Sequence, residues 1–221
     1  MQQDSSLAFL DPRELLLHED VEPARILALC ETLTRERQQR EAVLATPTRH
    51  GMFVLDGVHR TTALMRLGVP RVAVRVVSPE MVEDLAGWTH STRHSASRTA
   101  LAGLAGDGRP CDGPLVATVR RRGAETVVRA RGEGLTELME AFRGVASLYQ
   151  GSPYTRLAEP ADPGPGETLV AWHVPGLEQL VELTVRVGTL PAGVTRFRVR
   201  GGLVAAGVSF AELADTSACD A

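Results

Sequence analysis

The chain contains no lysine: all 24 of its basic residues are arginine. That closes several chemical routes at once. There can be no Walker-type phosphate lysine, no Schiff base and no strand lysine of the protein-kinase kind. Any handling of phosphate falls to Arg, backbone amides, His or a metal. Cysteine is scarce as well. Cys30, Cys111 and Cys219 are odd in number and far apart, which argues against both a disulfide framework and a Cys-x-x-Cys metal site. No apolar run approaches the roughly 20 residues of a membrane span, and Met1 to Ser6 is too polar for a signal peptide. The expectation is a cytoplasmic protein with no membrane partner. A net charge of −3 lacks the basic excess of a protein whose main business is coating nucleic acid. What is present, 43% hydrophobic and 23% charged residues over 221 positions, suits a soluble globular protein with one sizeable core or two small ones.

The most informative stretch runs from Phe53 to Gly68. Phe53 to Leu55 is a short apolar run of strand type that ends in Asp56-Gly57, where glycine permits a sharp turn. Ala63, Leu64 and Leu67 then recur at helical spacing, with Gly68 as a stop and Pro70 just beyond. The pattern predicts strand, turn and helix, with Asp56, His59, Arg60, Thr61 and Thr62 crowded at the helix start. Unpaired amides and the positive end of a helix dipole suit a phosphate there. Beside a phosphate, Asp56 makes sense as a holder of Mg²⁺ or as an organiser of the basic residues. The alternative is a surface helix with Asp56 in a plain turn.

Around this motif the pattern predicts strands at Leu7–Leu10 and Leu15–Leu17 and a helix opening at Pro23 with Ile26, Leu29 and Leu33 on one face. Thr34 to Glu41 reads as a solvated polar tail. Strands at 42–45, 52–55 and 72–77 complete one compact α/β unit over residues 1–78. Beyond Ser78-Pro79, Met81 to Trp88 reads as a helix. Strands at 115–119 and 125–130 flank the Arg120–Gly123 turn. Helices follow at 135–148 and 177–187, with strands at 169–173 and near 195, and a last short helix from Phe210. Residues 79–221 form the second, α+β, domain of this reading.

Four constellations carry possible chemistry. His18-Glu19-Asp20-Val21-Glu22-Pro23-Ala24-Arg25 packs acids between a strand end and a helix start. They serve either as helix capping or as a general base poised over a bound phosphate. His90 and His94 have the i, i+4 spacing of a metal pair only if that stretch is helical, and no third ligand stands nearby. The Arg120-Arg121-Arg122 run is either a solvated hairpin tip or a nucleic-acid contact without interleaved aromatics. Thr195-Arg196 could grip a carboxylate through the guanidinium fork, or could be a surface pair.

Two separated motifs resemble one family. Val54-Leu-Asp-Gly-Val-His-Arg60, running into a helix and a Val-rich strand, is similar to the signature of the ParB/sulfiredoxin-like fold. The upstream His18-Glu19 element and the downstream Leu190-Pro-Ala-Gly-Val-Thr-Arg-Phe197 resemble the free L-serine kinases of that superfamily, nearest to the branch in staphyloferrin B siderophore clusters. The likeness spans about residues 7–215, most loosely in the middle third.

The resemblance implies an α/β (α+β) protein with a ParB/sulfiredoxin-like nucleotide-binding domain and a C-terminal domain completing a serine site between them. It implies phosphoryl transfer from ATP, or ADP, to free L-serine, giving O-phospho-L-serine for a siderophore or other 2,3-diaminopropionate pathway. Glu19 would be the base. Asp56, Gly57, His59, Arg60, Thr61 and Thr62 would hold nucleotide phosphates, Asp56 also Mg²⁺, with Asp56 and His59 catalytic. Glu22, Arg25, Trp88, Thr195 and Arg196 would meet the serine. There are departures. Archaeal members carry His where Phe197 stands, and Val58 replaces the Cys that sulfiredoxin chemistry needs. The Glu-Arg-Arg motif and helix-turn-helix of partition-type ParB proteins are not evident. That weakens the competing reading, a nucleotide-responsive DNA-binding regulator.

Overall fold

The computed structural model describes residues 7–94, 101, 103–104, 112–159, 162–202 and 204–215. The chain divides into two compact units, Met1–Asp84 with Phe197–Ala221, and Leu85–Arg196. The sequence boundary after Ser78 has no counterpart for the return of the last residues, because nothing local marks them as belonging with the first eighty.

The first unit is built on a five-stranded sheet: β1 (Leu7–Leu10), β2 (Leu15–Leu16), β4 (Val43–Thr48), β5 (Gly51–Asp56) and β6 (Val72–Val76), in the order β1-β6-β4-β5-β2. β4 and β5 form a hairpin through Arg49-His50, while β2 lies parallel to β5, pairing Leu15 with Met52 and Leu16 with Phe53. Helices α1 (Pro23–Glu36) and α2 (Val58–Arg66) accompany the sheet. Val43, Ala45, Val54, Val72 and Val74 join Leu33 of α1 and Ala63 and Leu64 of α2 in one apolar cluster. Val208, Phe210 and Leu213 complete that cluster. They arrive on β14 (Ala205–Ser209) and the short α5 (Phe210–Ala214), which Ser209 and Glu212 cap reciprocally.

Two expectations fail here, and for one reason. Gln38–Glu41 is not a solvated tail but strand β3, paired antiparallel with β14. Gln39 is fully buried and satisfied: Ala73 N–H donates to its Oε1 at 2.9 Å, and its Nε2 donates to the carbonyls of Ala73 at 2.7 Å and Glu41 at 2.9 Å. Met81 to Trp88 is not a helix. A 3-10 turn at Pro79–Met81 leads into β7 (Val82–Gly87), which pairs with β13 (Thr195–Val199). In both cases the partner strand is more than a hundred residues away, so local spacing could not reveal the ladder.

The second unit is an antiparallel sheet of β8 (Thr89–Thr92), β9 (Leu115–Arg121), β10 (Ala124–Arg129), β11 (Tyr154–Leu157) and β12 (Thr168–Trp172), in the order β10-β9-β12-β8-β11. Helix α3 (Leu135–Ser147) buries Leu138, Met139, Phe142 and Val145, the face its spacing predicts. Helix α4 (Leu177–Arg186) buries Leu180, Val181 and Leu183, while Val185 is exposed. Among the described residues no helix is long and apolar enough to cross a membrane.

Candidate functional site

The first unit assembles its polar residues where β5 meets α2. Gly57 has φ +106°, and a Cβ there would lie 3.1 Å from Arg60 Nη1 and 3.2 Å from Val43 Cγ2. The conformation therefore favours glycine, and the space for a side chain is tight. No side chain caps α2. A helix start leaves its first amides without intrahelical acceptors and carries the positive end of the dipole. Arg60 is engaged on both sides of its fork: Nη1 donates to the Ala42 carbonyl at 2.9 Å, Nη2 donates to Glu41 Oε2 at 2.5 Å, and Asp56 Oδ2 lies 3.9 Å from Nη1. The Asp56 side chain is half exposed at the strand end. Magnesium commonly takes one or two carboxylates and completes its shell with water and substrate phosphates, so a single open carboxylate beside a helix start fits it.

The two threonines of the helix start differ in their surroundings. Thr62 Oγ1 donates to the Val58 carbonyl of its own helix at 2.9 Å. Thr61 is fully buried, and its hydroxyl has no hydrogen-bond partner among the described residues. An unsatisfied buried hydroxyl costs about 1–3 kcal/mol.

Parallel pairing of β2 with β5 carries the His18-Glu19 element alongside the same strand. Both residues are buried, His18 at 1% and Glu19 at 9% exposure. The His18 ring stacks on Phe53 with centroids 5.0 Å apart and meets Phe197 edge-on at 5.5 Å. Burial pushes its pKa down; Glu19, the Val54 backbone and Asp56 pull the other way but do not prevail. His18 is then neutral at physiological pH and leaves the Glu19 carboxylate, 4.0 Å away, uncompensated by its charge. Three residues on, the Glu22 amide donates to His59 Nε2 at 3.1 Å. An N–H donor requires a lone pair at that nitrogen, so the proton of neutral His59 sits on Nδ1. This bond ties the Glu19 segment to the start of α2. Glu22 stands at the N-terminus of α1 without capping it by its side chain, and Arg25 is exposed on the first turn.

The remaining predicted residues belong to the second unit. The Arg196 guanidinium lies over the Trp88 ring, 5.4 Å from its centroid, and Thr195 is buried beside it in sequence. The turn before them is held by Trp88 N–H on Val194 O at 2.9 Å and Tyr154 O–H on Ala192 O at 3.2 Å. His90 and His94 are no metal pair. His90 lies on β8, its ring nitrogens 2.7 Å from Tyr149 Oη and from Gly193 O. His94 Nδ1 meets Ser152 Oγ at 3.1 Å. Among the described residues no cluster of three His, Cys, Asp or Glu could hold a metal ion. The arginine run sits at the β9–β10 turn, with Arg120 paired to Glu125 at 2.9 Å.

Sequence reasoning missed Glu41 and the Ala42 carbonyl, which anchor Arg60 from β3 and its exit, and Tyr149, which touches His90. No signal in the sequence joins Glu41 to Arg60, since the pair depends on β3 being a strand.

No protein-family model matches the chain. It is 25% identical over 198 residues to the ATP-dependent L-serine kinase SbnI of Staphylococcus aureus, covering 84% of this chain and 75% of that protein. The solved structure of SbnI with a C-terminal truncation, from Staphylococcus aureus, superposes with a TM-score of 0.76 at 21% identity, over 95% of this chain and 90% of that one. A free serine kinase in complex with AMP superposes with a TM-score of 0.68 at 15% identity, over 94% and 93% of the two chains. The chain is thus similar in sequence to one L-serine kinase and shares the fold of the solved free serine kinases.

Proposed function

We propose that the protein is a free L-serine kinase, transferring a phosphoryl group from ATP or ADP to the serine hydroxyl. The observation that carries this reading is the Glu22 amide to His59 bond, which couples a buried carboxylate at a strand end to an uncapped helix start. In this reading Glu19 accepts the proton of the serine hydroxyl as its oxygen bonds to the transferred phosphorus. The bond from phosphorus to the bridging oxygen breaks, and the shortened nucleotide leaves. The transition state spreads negative charge over the phosphoryl oxygens, so alignment and charge neutralisation supply most of the catalysis. Amides of the first α2 turn and Arg60 supply the positive side, with Arg60 pre-organised by Ala42 and Glu41. His59, locked as its Nδ1–H form, offers one more donor. Thr61 and Thr62 act through the helix they build rather than through their hydroxyls. Asp56 would hold Mg²⁺, whose contribution when bound is neutralisation of phosphate charge. Glu22, Arg25, Trp88, Thr195 and Arg196 are assigned to the amino acid, Arg196 to its carboxylate. The product suits a specialised 2,3-diaminopropionate or siderophore pathway, and the cytoplasm, where nucleotide and free serine occur, is the matching compartment.

Phosphorus NMR of the protein with Mg²⁺, L-serine and either nucleotide tests this directly. Phosphoserine from wild type is expected, with a rate about 10²–10⁴-fold lower for Glu19→Gln. Equal rates would move the base elsewhere. No phosphoserine with ATP or ADP would overturn the kinase reading.

A further inference from the structure

The second unit buries a polar network that the reaction above does not use. His90 is 1% exposed and lies in an aromatic cage: stacked on Tyr154 at 4.0 Å, and edge-on to Tyr149 at 5.8 Å and Trp172 at 6.0 Å. Its Nε2 is 2.7 Å from the Gly193 carbonyl, and its Nδ1 is 2.7 Å from Tyr149 Oη and 3.3 Å from Trp172 Nε1. The chemistry of the partners settles the tautomer. A carbonyl can only accept and an indole N–H can only donate, so the proton of His90 is on Nε2 and Nδ1 is an acceptor. Tyr149, deep enough that burial raises its pKa far above the usual phenol range, stays protonated and donates as well.

Gly193 sits two residues before Thr195 in the turn that leads to Arg196. It has φ +73°, and a Cβ there would fall 2.5 Å from Arg156 Nη2. The positive φ strains any side chain at this point, and the Gly193 carbonyl rests on the His90 ring of the cage. We infer that His90 is a positioning residue for the serine-binding turn: its Nε2–H holds the Gly193 carbonyl, and Tyr149 and Trp172 hold His90. The inference rests on the serine-kinase reading and deepens it, because it assigns the placement of Thr195 and Arg196 to a residue that touches neither substrate.

The prediction is a KM effect confined to one substrate. His90→Phe keeps the ring stack but removes the donor. The serine KM should rise about five- to tenfold, the scale of one lost buried hydrogen bond, with the nucleotide KM unchanged. His90→Gln, whose amide can place an N–H near the Nε2 position, should restore most of the loss. Tyr149→Phe, a milder change that serves if His90→Phe fails to fold, should raise the serine KM in the same direction. Nitrogen-15 NMR of the wild type should show His90 as the Nε2–H tautomer without any turnover being measured. A proton on Nδ1 would overturn the inference. So would a folded His90→Phe or Tyr149→Phe protein with a normal serine KM, or one that alters both substrates equally. A wild type that makes no phosphoserine overturns the kinase reading itself, and the serine assignment of the turn with it, whatever the tautomer.

Discussion

At the scale of single residues, His18 ties stability to pH. Its pKa is depressed in the folded state by burial, while the unfolded chain titrates near the ordinary 6.5. Above that value both states are neutral and His18 contributes no slope. Below it the unfolded state binds more protons than the folded one, so stability falls as pH drops and levels off only beneath the folded pKa. Denaturant titrations between pH 7.5 and 5 should show this loss, and His18→Gln should flatten it. Arg60 makes a second residue-scale prediction. Its fork is divided between Ala42 O and Glu41, so Arg60→Lys, which keeps the charge, should still weaken nucleotide binding about tenfold by calorimetry. Much of this level was legible beforehand. Asp56, Gly57, His59 and Arg60 are neighbours in sequence and needed only a strand-to-helix turn. Glu41 was not legible, because its place beside Arg60 follows from a strand that the sequence disguises with four polar residues.

At the scale of elements, the β5–α2 turn depends on one glycine. Gly57→Ala must accept φ +106° and bring a methyl group to within 3.1 Å of Arg60 Nη1. Backbone strain of this kind costs about 1–3 kcal/mol, and here the relief available is displacement of Arg60. The expected outcome is a lower thermal midpoint together with weaker nucleotide affinity; a lower midpoint with intact affinity would show that Arg60 does not need its observed place. The helices α1 to α4 were readable from their own periodicity, since each buries a stripe set by local spacing. The strands β3 and β7 were not. Met81, Val82, Leu85 and Trp88 have spacing compatible with a helix, and the competing force, a ladder with β13, comes from a segment over a hundred residues later. The end of β7 is constrained a second time, from β12: a Cβ at Gly87 would sit 2.0 Å from the Trp172 carbonyl oxygen.

At the scale of the whole molecule, the first unit is closed by the end of the chain. Leu213 is fully buried in its apolar cluster, and Arg71 and Arg75 donate to the carbonyls of Leu213, Glu212, Gly202 and Arg200. Leu213→Ala should cost about 2–5 kcal/mol. Hydrogen exchange should place the lost protection in residues 43–76 and leave residues 115–172 unchanged. The same closure has a consequence for synthesis. A ribosome releases residues 1–84 when β3 still lacks β14, and the cluster still lacks Val208, Phe210 and Leu213. At about 5–20 residues per second, the missing segment follows roughly 5–25 seconds later. The second unit, one unbroken stretch, has everything it needs in the interval. The half of the protein made first is therefore the half that finishes folding last, and its unpaired strand edges are what a chaperone meets in between.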